Sequence, residues 1–287
     1  SGPNGYDMNE KNVKKIIQTL VGEGIIQITF SGGEPLIYPH IKEVIKFAKN
    51  SGAVTHMNTN GYFLTKKLAK ELYDAGLSQV QINIDSLQPL KHDQIRGRKG
   101  SFHRAVKALK NAREIGLTCV TQTVLTKQNE NEIIDIFKFA RSMGIQRCRI
   151  WDMLPTGHAV GKLDLSPTNY IETLKKLEQF ASMTGAKNIE SGDPLFPTNY
   201  KTNINVTGGY CATLEGLVII ISTTGDVYFC CAKRDKIYNI FEVLRKKEPV
   251  INFHKYKLSQ YKSNLRKLHP ICGNCSNLNR CKGGCTA

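Results

Sequence analysis

The densest chemistry in this sequence is carried by cysteines. Of nine in 287 residues, seven (Cys211, Cys230, Cys231, Cys272, Cys275, Cys281 and Cys285) fall between positions 211 and 287. Four of them read Cys272-x2-Cys275-x5-Cys281-x3-Cys285, with Gly273, Gly283 and Gly284 available for the tight turns that bring thiolates onto one centre. A short Cys-x2-Cys turn is the usual signature of zinc. A zinc ribbon, however, prefers two matching knuckles. Here one pair is followed by unequal gaps and preceded by a distant pair, Cys211 and Cys230. Iron–sulfur ligation is the other reading of that spacing. Cys119 and Cys148 stand alone in apolar, strand-like segments and read as core residues.

A second group of residues recurs after apolar runs. Thr29-Phe-Ser-Gly-Gly-Glu-Pro-Leu36 leaves one such run. As structure it is a turn; as chemistry, Ser31, Gly32 and Gly33 let backbone approach a ligand, and Glu34 can accept hydrogen bonds from an amine. Asn58-Thr-Asn-Gly61 leaves the next run, and Asn83-Ile-Asp-Ser86 the one after it, followed by His92-Asp-Gln-Ile-Arg-Gly97. Arg96 reads either as a surface loop residue or as a bidentate carboxylate holder. Asp85 and Asp152, at strand ends, can face the same pocket. His158 is a lone loop histidine. No Ser–His–Asp arrangement and no phosphate-binding glycine loop is present.

These segments need a frame. Asn9 caps a predicted helix reaching about Gly22. Strands are predicted at 25–30, 54–57, 80–84, 118–125 and 147–151, and helices at 39–49, 64–73, 102–114 and 129–143, most closed by a glycine. Such alternation implies a parallel sheet with helices outside, doubly wound or a partial barrel, with functional groups at the C-terminal strand ends. The opening helix has no strand before it, so a native N-terminal strand and loop are expected to be missing. Ser166 caps a helix over 167–184. Residues 185–210 read as irregular, 217–222 and 227–230 as a hairpin, and 237–246 and 256–267 as helices. A boundary near 185 divides residues 1–185 from 186–287.

In that order, Ser31-Gly-Gly-Glu-Pro35, Thr59-Asn-Gly61, Asn83 to Ser86 and Arg96 resemble the radical S-adenosylmethionine (SAM) enzymes, and the cysteine tail resembles their SPASM auxiliary-cluster domain. The resemblance implies a partial (β/α)6 TIM-like barrel missing its first strand over residues 1–185. A small SPASM domain with a β-hairpin and helices would follow over 186–287. It implies S-adenosyl-L-methionine bound by Ser31, Gly32, Gly33, Glu34, Asn58, Asn60, Asn83 and Arg96, with Thr123 and Leu154 beside the nucleoside. Asn83 stands where many relatives carry serine. It implies a catalytic [4Fe-4S] cluster on a Cys-x3-Cys-x2-Cys loop that this sequence lacks. One or two auxiliary iron–sulfur clusters would be held by Cys211, Cys230 and Cys285 and by Cys272, Cys275 and Cys281, with Cys231 a possible fourth ligand.

The implied activity is reductive cleavage of SAM to a 5′-deoxyadenosyl radical that abstracts hydrogen, most simply in maturing a peptide or protein. An external donor such as flavodoxin or ferredoxin would supply the electron. Pro155-Thr-Gly-His-Ala159 is similar to a stretch in tetrapyrrole-modifying members, the second substrate class. A non-catalytic zinc or cluster-binding module is the other alternative.

The composition sets limits. The net charge is +16, spread along the chain with no basic–aromatic run, so a nucleic-acid partner is not expected. Cluster thiolates or an acidic substrate would balance the excess. No apolar run approaches the roughly 20 residues of a membrane span, and no signal peptide is read at Ser1, so the protein is expected in the cytoplasm.

Overall fold

The computed structural model describes residues 8–145, 147–152, 166–185, 189–191, 205–206, 212–213, 215–231 and 234–266. Helix α1 (Glu10–Gly22) comes first, and the Asn9 side chain accepts from the Asn12 amide at 2.9 Å, as its capping role predicts. Then follow β1 (Gln27–Phe30), a 3-10 turn (Pro35–Ile37), α2 (Ile41–Asn50), β2 (Val54–Thr59), α3 (Lys66–Asp74), β3 (Gln79–Asn83), α4 (Pro89–Arg96), α5 (Ser101–Ile115), β4 (Thr118–Leu125), α6 (Ile133–Ser142), β5 (Arg147–Asp152), α7 (Pro167–Thr184), β6 (Ile189–Ser191) and β7 (Asn205–Val206).

These seven strands form one sheet in strict sequence order, each pairing parallel with the next. A doubly wound sheet must reverse direction at a switch point. No reversal occurs here, so the crossovers all carry the sheet the same way round and it curls into a partial barrel. The outer face of the curl packs on helices: Met57, Ile82, Cys119 and Ile150 meet Ile45, Leu72, Leu109 and Phe137 in one buried core. Cys119 and Cys148 lie in that core, and burial pushes the Cys119 thiol up to about 11 and raises Cys148 as well. Both are inert packing residues at neutral pH.

Several elements differ from the sequence reading; the final helix, for one, runs Val250–Arg266 rather than from 256. Residues 89–96 form α4, started by Pro89 and stopped by left-handed Gly97; His92 is its one buried residue, too weak an apolar stripe to show as a helix. Helix α6 begins at Ile133 because Asn129 is fully buried and ties the preceding turn together, with Nδ2 donating to the Asp85 and Val124 carbonyls. The stretch read as irregular contains β6 and β7, so the sheet runs past residue 185. Residues 236–239 are a strand rather than the start of a helix.

The second unit is a small antiparallel sheet of β8 (Ile220–Ile221), β9 (Asp226–Tyr228) and β10 (Lys236–Asn239), followed by α8 (Ile240–Lys246) and α9 (Val250–Arg266). Helix α1 joins it to the barrel. Ile17 packs into the barrel core, while Ile16 and Leu20 pack with Val227, Tyr238, Val243 and Val250. Just beyond α1, both Glu23 oxygens accept from the first amides of α9, Val250 at 2.8 Å and Ile251 at 2.7 Å. A carboxylate there satisfies orphan amides and meets the positive end of the helix.

Candidate active site

The glycine-rich turn leaves β1 at the C-terminal rim of the sheet. Ser31, Gly32 and Gly33 are exposed, and Gly32 has φ +126° with open space where a side chain would sit. Such a stretch leaves its backbone approachable. Glu34 follows and reaches across to the next strand. Its Oε1 accepts from the Thr59 hydroxyl at 2.6 Å and the Leu36 amide at 3.1 Å, and its Oε2 from the Asn60 amide at 2.9 Å. The carboxylate thereby fastens the turn after β1 to the turn after β2. Asn60 Oδ1 in turn accepts from the Tyr62 amide at 2.8 Å, and Gly61 takes φ +75° against Ala108 and Ile82.

After β3, Asp85 is buried (1% exposed), with Oδ1 accepting from the Val124 amide at 2.9 Å. Its Oδ2 lies 2.9 Å from Arg96 Nε, out of line for a hydrogen bond but close enough for an ion pair. Arg96 ends α4 with its side chain 29% exposed. Among the described residues no acidic group meets its Nη atoms, so the outer edge of the guanidinium is presented at the rim. Beneath, the Asp85 amide donates to His92 Nδ1 at 3.2 Å. Burial lowers the His92 pKa, Arg96 lowers it further, and Asp85 and Asp93 oppose this. His92 is therefore a neutral acceptor at pH 7.

Strand register shows which predicted residues meet. Asn58 pairs with Gln81, Asn83 with Gln122, and Gln122 with Arg149, all on the inward face. Ser31, Gly32, Gly33, Glu34 and Asn60 lie together where β1 and β2 end, Arg96 pairs with Asp85 just past β3, Asn83 closes β3, and Asn58 is one residue short of the end of β2. Thr123 does not join them. It is buried on the opposite face of β4 and donates to the Ile84 carbonyl at 2.8 Å, because neighbouring residues of a strand point to opposite sides. Leu154, Cys211, Cys272, Cys275, Cys281 and Cys285 lie outside the described residues. Cys230 packs beside the stacked rings of Phe229 and Tyr261, and Cys231 is exposed.

Sequence reasoning passed over Asp85 as the partner of Arg96. It also passed over an inward polar set, Gln81, Gln122, Arg147, Arg149 and Glu190. Their signal was available: polar residues at alternate positions in parallel strands, where barrel interiors ordinarily hold Val, Ile and Leu.

Known proteins resemble this chain. Residues 1–140 match the model of the radical SAM superfamily. Those residues resemble a radical SAM domain. Over 94% of its length it is 25% identical to the AdoMet-dependent heme synthase of Nitratidesulfovibrio vulgaris, spanning 79% of that protein. Over 98% of its length it is 27% identical to the mycofactocin maturase MftC of Mycolicibacterium smegmatis, spanning 71% of it. Crystal structures of Streptococcus suis SuiB share its fold. The SAM-bound form has TM-score 0.76 and 19% identity over 98% of this chain and 68% of SuiB. The form bound to precursor peptide SuiA has TM-score 0.74 and 19% identity over 96% of this chain and 64% of SuiB. These likenesses point to an enzyme on a partial barrel, and among the described residues no helix is long and apolar enough to cross a membrane.

Proposed function

We propose that this protein is a radical SAM enzyme that matures a peptide or protein. The observation that carries the reading is the pair of fixed anchors on one rim: Glu34, clamped by Thr59 and the Asn60 amide, and Arg96, set by Asp85. The two charges suit the amine and the carboxylate of one amino-acid moiety. When bound and reductively cleaved, SAM supplies a 5′-deoxyadenosyl radical that removes hydrogen from a substrate.

The residues of this chain position that cosubstrate. Glu34 accepts from its amine, and Arg96 donates to its carboxylate through the guanidinium edge turned away from Asp85. The exposed Ser31-Gly-Gly33 backbone and Asn60 offer further polar contacts, and Asn83 and Asn58 line the way inward. The curled sheet and its helices exclude water from one side of the bound nucleoside. The peptide reading is supported by the likeness to MftC and to SuiB with its precursor peptide, and by the basic excess, which suits an acidic substrate segment. Tetrapyrrole modification is the second reading, favoured by the heme synthase that the chain spans more fully.

The cysteine spacing supports auxiliary iron–sulfur ligation by Cys211, Cys230, Cys272, Cys275, Cys281 and Cys285, with an external flavodoxin- or ferredoxin-like donor. A cytoplasmic setting suits both. The deciding experiment mixes the full-length protein, reconstituted anaerobically with iron and sulfide, with SAM, a reductant and candidate substrates. Release of 5′-deoxyadenosine that rises with a peptide supports the first reading, and with coproporphyrin the second. No release, with stoichiometric zinc and no sulfide, returns the chain to the binding-module class.

A further inference from the structure

Below the rim, the inside of the barrel holds a cavity of about 210 Å³, lined in part by His56, Asn58, Gln79, Arg147 and Arg149. The space is small, but it is polar where a barrel is ordinarily filled with branched apolar side chains.

Among the described residues the charges inside do not balance. Arg149 Nη2 lies 2.8 Å from Glu190 Oε2, and Arg147 Nη1 lies 3.4 Å from Glu190 Oε1. Among the described residues Glu190 is the one acidic partner of both. It is sealed, with 5% of its side chain exposed, whereas Arg149 keeps 22% and Arg147 37%. Amide groups hold the remaining guanidinium edges in place: Arg149 Nη1 donates to Gln81 Oε1 at 2.7 Å, Gln81 donates to Gln122 at 2.7 Å, and Arg147 donates to Gln79. His56 faces the same space. Burial first, then the Arg147 and Arg149 charges, hold its pKa below the usual value. Among the described residues two cations share one carboxylate beside open space, and an excess of positive charge on partly buried side chains attracts an anion.

We infer that Arg147 and Arg149 form an anchoring site for a substrate carboxylate inside the barrel, distinct from the SAM rim. Register places it usefully. Arg149 pairs with Gln122 and Gln122 with Asn83, so two strand spacings of about 4.8 Å separate Arg149 from the rim residue Asn83, roughly 10 Å. The role assigned to the anion rests on the radical SAM reading; the binding itself does not. A peptide side chain and a tetrapyrrole propionate both supply the group.

The test uses the full chain labelled with [15N]arginine. The Nε–H signals of Arg147 and Arg149, assigned with Arg147→Gln and Arg149→Gln, are followed by NMR while propionate or propionamide is added. Propionate is expected to shift both signals saturably, and propionamide neither. Arg149→Gln should weaken propionate by tenfold to a hundredfold, roughly the worth of a charge-assisted hydrogen bond. Glu190→Gln should tighten it by about threefold or more, because it removes the competing carboxylate. A merely structural Glu190 predicts no gain.

Competition by a glutamate-containing peptide, or by coproporphyrin III, supports the site and identifies the source of its carboxylate. Equal effects of acid and amide, competition by neither carboxylate source, or no gain in Glu190→Gln with the thermal midpoint preserved would each overturn the inference. SAM binding is measured on the same sample by equilibrium dialysis. Propionate bound without SAM counts against the radical SAM reading alone; SAM bound without propionate counts against this site alone.

Discussion

Asp85 and Arg96 form a 2.9 Å ion pair in which the acid is buried and the base is not. The asymmetry assigns their roles. Asp85 is fixed by the Val124 amide and cannot turn to follow a ligand. It therefore sets the guanidinium angle, and Arg96 spends its outer edge on whatever binds. Arg96→Ala should weaken SAM binding by roughly tenfold to a hundredfold. Arg96→Lys should recover charge but not the two-pronged geometry, and so only part of the loss. Asp85→Asn should weaken SAM less than Arg96→Ala while lowering the thermal midpoint. Equilibrium dialysis and thermal unfolding read the two effects separately; unchanged SAM binding in Arg96→Ala would remove this residue from the site.

Stability should fall in two steps on acidification. Burial holds His56, His92 and His254 below the usual histidine value of 6.5, helped at His56 by two arginines. The folded chain keeps them neutral while the unfolded chain takes up protons. Their contribution is intact above about pH 6.5 and is lost as the pH falls through their lowered folded values. Asp93, Glu132 and Asp226 give the second step. Burial opposes their ionisation but is outweighed by hydrogen bonds, from Phe102, Gly100 and Ser101 to Asp93, from Lys91, Ser86 and Leu87 to Glu132, and from Lys236, Asn239 and Thr224 to Asp226. That stability is present above the ordinary carboxylate range and disappears as the pH falls below about 4. Urea midpoints measured from pH 8 to pH 3 should fall monotonically; a maximum near pH 5 contradicts the first step.

Gly61→Ala tests the turn that Glu34 holds. The position needs φ +75°, and an added Cβ would lie 3.0 Å from Ala108 Cβ and 3.3 Å from Ile82 Cγ2. Strain and crowding together should cost on the order of 1–3 kcal/mol. Because Asn60 is displaced with the turn, SAM affinity should fall too. Chemical denaturation and dialysis measure the two losses.

Glu23→Ala removes the acceptor of the first two amides of α9. The expected loss is about 1–2 kcal/mol, as for other helix caps. Hydrogen exchange should quicken in α9 and leave β3 and β4 protected. Uniform quickening would mean that the two units unfold as one.

Much of this was legible in the amino-acid order. The alternation of apolar runs and glycine stops gave β1 to β5 and their flanking helices, since each strand buries one face against helices and each helix shows one apolar stripe. Ser166 and Pro167 marked α7 to the residue. What escaped was set by tertiary contacts. Helix α4 buries little but His92, so no stripe announced it. The sheet extends through β6 and β7, too short to rise above their polar surroundings. At the site, Glu34 and Arg96 were expected from the family resemblance of their segments. Thr123 could not be oriented without the register, and the Asp85 and Glu190 pairings join residues that only the curl of the sheet brings together.

Helix α1 has 13 residues and is therefore a rod of roughly 20 Å. One side of it is keyed into the barrel and the other into the unit that carries Cys230. Such a rod is a rigid tie between the two. It links the start of α9, held at Glu23, to the neighbourhood of β1, whose last residues lead straight into Ser31 and Glu34.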